Sequence, residues 1–148
     1  MKKIISFAIV CVMLFSLTAC SITETAGTDR VDVDLTALSS TMIYAEVNNM
    51  VTNPSEYTGK IVKMRGQFVV YQAQDENGNP VDGSMYFACI IPDATGCCSQ
   101  GLEFVLSGEH VYPDDYPEIG ADICVMGSFD TYQEGAYTYC TLRNASFV

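Results

Sequence analysis

The chain has 148 residues, of which 49% are hydrophobic and 17% are charged, with 7 Lys and Arg against 18 Asp and Glu. This length allows one domain with one hydrophobic core. The formal net charge is −11, and no basic cluster offsets it. Such a surface repels phosphate backbones, so the composition predicts no nucleic-acid partner.

Residues 1–19 have the layout of an export signal. Lys2 and Lys3 precede an apolar run that ends at Leu17 and is too short to span a bilayer comfortably. The tetrapeptide LTAC, which ends at Cys20, resembles the lipobox of bacterial lipoproteins. This resemblance implies cleavage before Cys20 and its acylation, palmitate included, which anchors the protein to the cell membrane on the extracytoplasmic side. The alternatives are an ordinary signal peptide with a coincidental cysteine and a transmembrane anchor.

Cleavage would remove two lysines and no acidic residue, which changes the formal charge from −11 to −13. After the lipidated Cys20, the polar residues up to 33 predict a flexible tether with a reach of roughly 20 Å. The domain is then expected over residues 34–148. Its first element is an amphipathic helix with Asp34 as N-cap and an end before Pro54, supported by apolar residues three to five positions apart. These residues are Leu35, Leu38, Met42, Val47, Met50 and Val51.

Five β-strands are predicted after the helix, because segments rich in Val, Ile, Phe and Tyr alternate with turn residues. The segments are Lys60–Gln72, Ser84–Ile91, Leu102–Leu106, Ala121–Thr131 and Ala136–Val148. An internal repeat supports a curled sheet: PSEYTGKIVKMRGQF at 54–68 is echoed by PDDYPEIGADICVMGSF at 113–129. In both copies a mid-strand glycine, Gly66 or Gly127, suits a bulge or a sharp bend.

The spacing Asn53-Pro54-x-x-Tyr57-x-Gly59-Lys60-x-Val62-x-Met64-x-Gly66-x-Phe68 resembles the first strand of small, exported, bacterial OB-like domains. The segment CCSQGLEF, from Cys97 to Phe104, is similar to a second motif of one such lipoprotein group. The resemblance implies a mainly β fold, a five-stranded OB-like Greek-key barrel preceded by the helix. In that fold ligands bind the face of the second and third strands. The flanking loops would be Ala73–Gly83 and Asp130–Gly135, and the Pro-rich segment Glu109–Ile119 replaces the usual helix between the third and fourth strands.

Five cysteines follow the lipid anchor, and three interpretations of them remain open. They are structural thiols or disulfides, a thiolate metal site with zinc as the main candidate, or a redox pair. Cys89 lies close in the predicted hairpin to the adjacent pair Cys97 and Cys98. These three residues are the candidate metal or redox set, although adjacent cysteines chelate poorly.

Other motifs give little support to catalysis. His110 is the single histidine, and no nucleophile elbow or phosphate-binding glycine loop accompanies it. The calcium-like spacing Asp75-x-Asn77-x-Asn79 is interpreted as a hairpin turn, because Pro80 replaces the required glycine. The acidic residues near His110, namely Asp114, Asp115 and Glu118, are interpreted as a solvated loop.

The sequence therefore predicts a lipoprotein without catalytic activity, a binding or accessory module whose partner is an envelope protein or a small molecule. Tyr71, Tyr86 and Tyr132 are the candidate ligand-binding residues, because they lie near the expected OB ligand face; Tyr137 and Tyr139 lie near it too. The prediction includes no cofactor. The alternative hypothesis is an envelope metal-handling or thiol-redox protein that uses Cys89, Cys97 and Cys98, with zinc as the metal.

Overall fold

The computed structural model describes residues 30–75, 77–92 and 99–148. The prediction of a mainly β chain with one helix ahead of five long strands is confirmed. In chain order the elements are β1 (Val33–Asp34), α1 (Ser40–Thr52), β2 (Ile61–Gln74), β3 (Pro80–Pro92), β4 (Ser99–Leu106), β5 (Asp122–Glu134) and β6 (Tyr137–Phe147). None of the helical segments in these three ranges has the length and apolar character needed to cross a membrane.

The helix begins later than the sequence predicts. Asp34 does act as an N-cap, but for a separate 3-10 turn at Leu35–Ala37, where its carboxylate accepts a hydrogen bond of 2.9 Å from the backbone N–H of Thr36. Helix α1 starts after Ser39. The predicted helix merged the two because Leu35 and Leu38 fit a helical period, although the backbone becomes extended at Leu38 and Ser39, before α1 begins.

The buried face of α1 is narrower than predicted. Val47 and Met50 are fully buried, whereas Met42 and Val51 are exposed to 57% and 50%. The helix packs at the start of β4 and lies against one side of the sheet, so only part of its apolar stripe is covered. The side chain of Gln100 on β4 donates a hydrogen bond of 3.2 Å to Asn48 on α1.

The five long strands form a closed ring. The strand order is β2-β3-β4-β6-β5, and β5 pairs again with β2. All neighbours are antiparallel except β4 and β6, which run parallel. The short β1 adds to β2 in parallel, with Val33 opposite Val62, and Asp32 also bonds to Ile61. The ordered domain thus begins before Asp34, because the last residues assigned to the tether pair with the sheet.

Strand β2 closes the ring because its two halves pair with different strands. Its first half lies against β5, its second half lies against β3, and the change occurs at Gln67, beside Gly66. A methyl group added at Gly66 would come within 2.4 Å of the carbonyl oxygen of Ile90. Glycine at this position therefore permits the close backbone approach that a tightly curled sheet requires.

The core fills the inside of the ring, as the period-two alternation predicts. Phe68, Phe104 and Phe129 are fully buried there. The segment between β4 and β5 contains no helix, and it places Tyr116 against Phe87 with a distance of 4.2 Å between ring centroids. Together with Tyr112, this ring packs against the core, and the absence of a helix between Glu109 and Ile119 agrees with the prediction.

Candidate functional site

The outer face of the ring carries a depression of about 620 Å³. It spans β2, β3, β4 and the β5–β6 hairpin, with α1 at its rim. We call it the tyrosine groove. Its lining includes four tyrosines and two glutamates, namely Tyr71, Tyr86, Tyr132, Tyr139, Glu103 and Glu134.

The tyrosines meet because strand pairing places them opposite one another. Tyr71 on β2 is directly opposite Tyr86 on β3. Tyr132 on β5 is opposite Tyr139 on β6, and their rings stack at 5.5 Å between centroids with 22° between planes. All four side chains line the same depression on the outer face of the ring.

Glu103 lies on the floor of the groove. Strand register places it between Ala88 on β3 and Thr141 on β6, and these small neighbours leave space above the sheet. The hydroxyl of Tyr132 donates to Oε2 of Glu103 at 2.5 Å. Burial raises the pKa of the Glu103 carboxyl, and the hydroxyls of Tyr132 and Thr141 beside it offset only part of this effect.

A second tyrosine–carboxylate pair, Tyr86 and Glu134, also lines the groove. The hydroxyl of Tyr86 donates to both carboxylate oxygens of Glu134, at 2.8 and 3.0 Å. The carboxylate raises the pKa of Tyr86, mainly through this hydrogen bond, so the phenol stays protonated. The groove therefore presents neutral tyrosines and acidic side chains.

All three tyrosines predicted to bind a ligand line this one groove. Tyr71 is 52% exposed, whereas Tyr86 and Tyr132 are partly buried and bonded to glutamates. Tyr139 lines the groove with them, and Tyr137, 71% exposed, lies outside it. The flanking loops are shorter than predicted because the β2–β3 and β5–β6 hairpins extend further. That these tyrosines bind a ligand stays a prediction.

The candidate metal or redox cysteines are only partly covered by the structure. Cys89 points into the core and is fully buried, and burial raises the pKa of its thiol to about 12. Cys97, Cys98 and the predicted lipid anchor Cys20 lie outside the described residues. Within those residues Cys89, Cys124 and Cys140 are free thiols, and no disulfide joins them. A buried thiol of high pKa is a poor metal ligand or nucleophile.

The other polar motifs have local structural roles. The Asp75 carboxylate accepts hydrogen bonds from the backbone N–H groups of Asn77 and Asn79 at 2.8 and 2.9 Å, which makes the predicted hairpin turn. His110 is exposed, and its Nε2 donates to the Ser107 carbonyl at 2.9 Å. Across residues 30–75, 77–92 and 99–148, no three His, Cys, Asp or Glu side chains are grouped to hold a metal ion.

Sequence reasoning missed the two glutamates of the groove. Glu103 lies between the buried Leu102 and Phe104, so alternation places it on the outer face, where a charged residue is ordinary. The concavity of that face depends on long-range register, which no local pattern carries. The one signal available in the sequence was that Glu103 is the single acidic residue of an otherwise apolar predicted strand.

No protein-family model matches the chain, and no curated protein matches it. A search of solved structures found the crystal structure of a "putative nucleic acid-binding lipoprotein" from Klebsiella pneumoniae, at 26% sequence identity. The similarity covers 68% of this chain and 80% of that chain, with a TM-score of 0.41.

The sequence-based expectation that nucleic acid is not a partner is contradicted by this neighbour, since the description of that protein names nucleic-acid binding. The expectation rested on the net charge and on the absence of a basic cluster in the sequence. Because net charge averages over the whole surface, it does not exclude a local contact, and the exclusion is withdrawn.

Proposed function

We propose that this protein is an extracytoplasmic lipoprotein, anchored to the membrane through Cys20, that binds a ligand in the tyrosine groove without chemical conversion. The observation that carries the proposal is the convergence of four tyrosines from four strands on one depression of about 620 Å³. Sites for small molecules have volumes of about 300–1,000 Å³ and combine an apolar lining with a few placed polar groups. The tyrosine groove has both properties.

The closed ring of five strands, with its helix at the rim, is the arrangement expected of an OB-like domain. In OB-folds the ligand face is that of the second and third strands, which correspond here to β3 and β4. The groove lies on that face, and Tyr86 and Glu103 come from those two strands. The location of the groove therefore agrees with a binding role for this fold.

The alternative of metal handling or thiol-redox chemistry has weaker support. It requires a thiolate at Cys89, and the side chain of Cys89 is enclosed by the core with a pKa of about 12. Thiolate chemistry needs a lowered pKa and access to solvent.

A thermal-shift screen of the full-length protein in non-ionic detergent tests the binding role. A small molecule present at about 100 times its Kd stabilises the folded state by about 2.7 kcal/mol, which moves the Tm by several degrees. We expect Tyr71→Ala to remove the shift of a true ligand. Tyr137→Ala, the matched control outside the groove, leaves it unchanged. A shift that survives Tyr71→Ala places the ligand elsewhere, and a ligand recovered in altered form refutes the non-catalytic role.

The anchor is tested independently of the ligand. Intact-mass measurement of the protein from membranes should show Cys20 as the first residue with acyl chains attached. Cys20→Ser should abolish both the added mass and membrane retention. Retention of the Cys20→Ser protein with an uncleaved N-terminus would indicate a transmembrane anchor instead.

A further inference from the structure

Three hydrogen-bond donors on side chains of the tyrosine groove are already used within the protein, whereas the hydroxyls of Tyr71 and Tyr139 donate to no described residue. The hydroxyls of Tyr132 and Tyr86 donate to Glu103 and Glu134, and Nε2 of Gln100 donates to Asn48.

Acceptors remain available in the same place. Each glutamate carboxylate has room for about four donors and receives one hydroxyl. The two carboxylates therefore keep acceptor sites that the donors of a ligand can fill.

The ionisable side chains of the groove that carry charge at neutral pH are all acidic. Two of its lining residues are glutamates and none is Lys, Arg or His. The two carboxylates repel each other, since Glu134 contributes to the raised pKa of Glu103. Arg143 also acts on Glu103, but its Nε already donates to Asp130 at 2.7 Å. A positive charge in the groove would relieve this repulsion.

The exposed aromatic faces suit the same kind of ligand. Tyr71 and Tyr139 are 52% and 43% exposed at the groove. The face of a tyrosine ring carries partial negative charge, which attracts a cation within about 6 Å. The rings also offer apolar area to the body of a ligand.

From these three observations we propose that the tyrosine groove binds a small organic cation, with a protonated amine or a guanidinium group at Glu103 and an apolar or aromatic body against Tyr71 and Tyr139. The inference rests on the proposed function, because it names the ligand class of that same groove. The volume of about 620 Å³ limits the occupant to a small molecule.

Three probes with the same phenyl ring test the effect of charge at nearly constant shape. They are benzylamine as the cation, benzyl alcohol as the neutral analogue and benzoate as the anion. Each is titrated by calorimetry into full-length protein in non-ionic detergent at pH 7.5. We expect benzylamine to bind at least about tenfold more tightly than benzyl alcohol. Glu103→Gln should weaken benzylamine about tenfold and leave benzyl alcohol unchanged, whereas Glu109→Gln, an exposed site outside the groove, changes neither.

The possible outcomes distinguish a failure of the cation inference from a failure of the proposed binding function. If benzyl alcohol, benzoate or a single-stranded oligonucleotide binds as tightly as benzylamine, and Tyr71→Ala weakens that binding, the groove is a binding site but the cation inference is wrong. If benzylamine shows no binding that depends on Glu103, the cation inference is also wrong. If, in addition, the thermal-shift screen yields no ligand whose shift is lost in Tyr71→Ala, the proposed binding function is also refuted.

Discussion

The hydroxyl of Tyr132 reaches over a neighbouring strand to donate to Glu103 at 2.5 Å. Tyr132 is on β5 and Glu103 is on β4, and β6 lies between them in the sheet. Thr141, which pairs with Glu103 from β6, is only 1% exposed although it lies on the outer face. This bond therefore joins two strands that share no backbone hydrogen bonds.

Tyr132→Phe should destabilise the protein by about 1–2 kcal/mol, because Glu103 loses a hydroxyl donor in a partly buried position. Urea unfolding at pH 7 measures the change. Tyr137→Phe is the control, since its exposed hydroxyl has no bonded carboxylate, and we expect less than about 0.5 kcal/mol there. The cost of Tyr132→Phe should shrink in a Glu103→Gln background, as a double-mutant cycle would show. Equal costs in both backgrounds would contradict the coupling.

Glu103→Gln should stabilise the protein at pH 7. Burial raises the pKa of Glu103 in the folded state above its unfolded value, so the folded state prefers the protonated form. This preference contributes stability below the unfolded pKa, and the contribution is lost as the pH rises through the folded pKa. The neutral glutamine avoids that loss.

The measurement is the difference in unfolding free energy between Glu103→Gln and the parent, at pH 7 and at pH 4. The difference should be positive at pH 7 and smaller at pH 4, where the parent carboxyl is itself protonated. A gain that is the same at both pH values would have another cause. Because the same substitution is expected to weaken cation binding, a stable protein with lost affinity separates a ligand contact from a structural defect.

Gly66→Ala should be more destabilising than Gly127→Ala, although the two glycines occupy equivalent places in the internal repeat. The added methyl at Gly66 meets the Ile90 carbonyl oxygen at 2.4 Å, whereas at Gly127 its nearest contact is the Arg143 carbonyl oxygen at 3.0 Å. We expect costs of roughly 2–3 and roughly 1 kcal/mol, as for overpacked sites. Denaturant unfolding of both variants tests the order, and the reverse order would refute the role of Gly66 in ring closure.

Cys89 should resist alkylation in the folded protein. At pH 8 a thiol with a pKa of about 12 is ionised in only about one molecule in 10⁴, and the side chain is fully buried. Mass spectrometry after iodoacetamide treatment should find Cys89 modified only after unfolding, whereas the partly exposed Cys124 reacts earlier. Rapid modification of Cys89 in the native protein would revive the thiol-redox hypothesis.

The sequence predicted the strands and their faces well, because both depend on local alternation. Val62 and Met64 on β2 and Ile123 and Val125 on β5 all lie at alternating positions and are buried. It predicted Tyr71, Tyr86 and Tyr132 near one face, and the structure places them in one groove.

The acidic partners could not be predicted in the same way. The pairing of Tyr132 with Glu103 depends on curvature across three strands and on 29 residues of separation. Local propensity carries no information at that range. The prediction of where the helix starts was wrong for a related reason. The 3-10 turn after Asp34 has apolar residues at helical spacing, but it ends at Leu38, before α1 begins.

The parallel pairing of β4 with β6 has a consequence for the timing of assembly. The final strand, Tyr137–Phe147, closes the ring and supplies Tyr139 to the groove. A chain is synthesised from its N-terminus, so β6 is the last of the six strands to emerge. The ring therefore stays open until β6 is made, and the groove, which needs Tyr139, is completed in the same step.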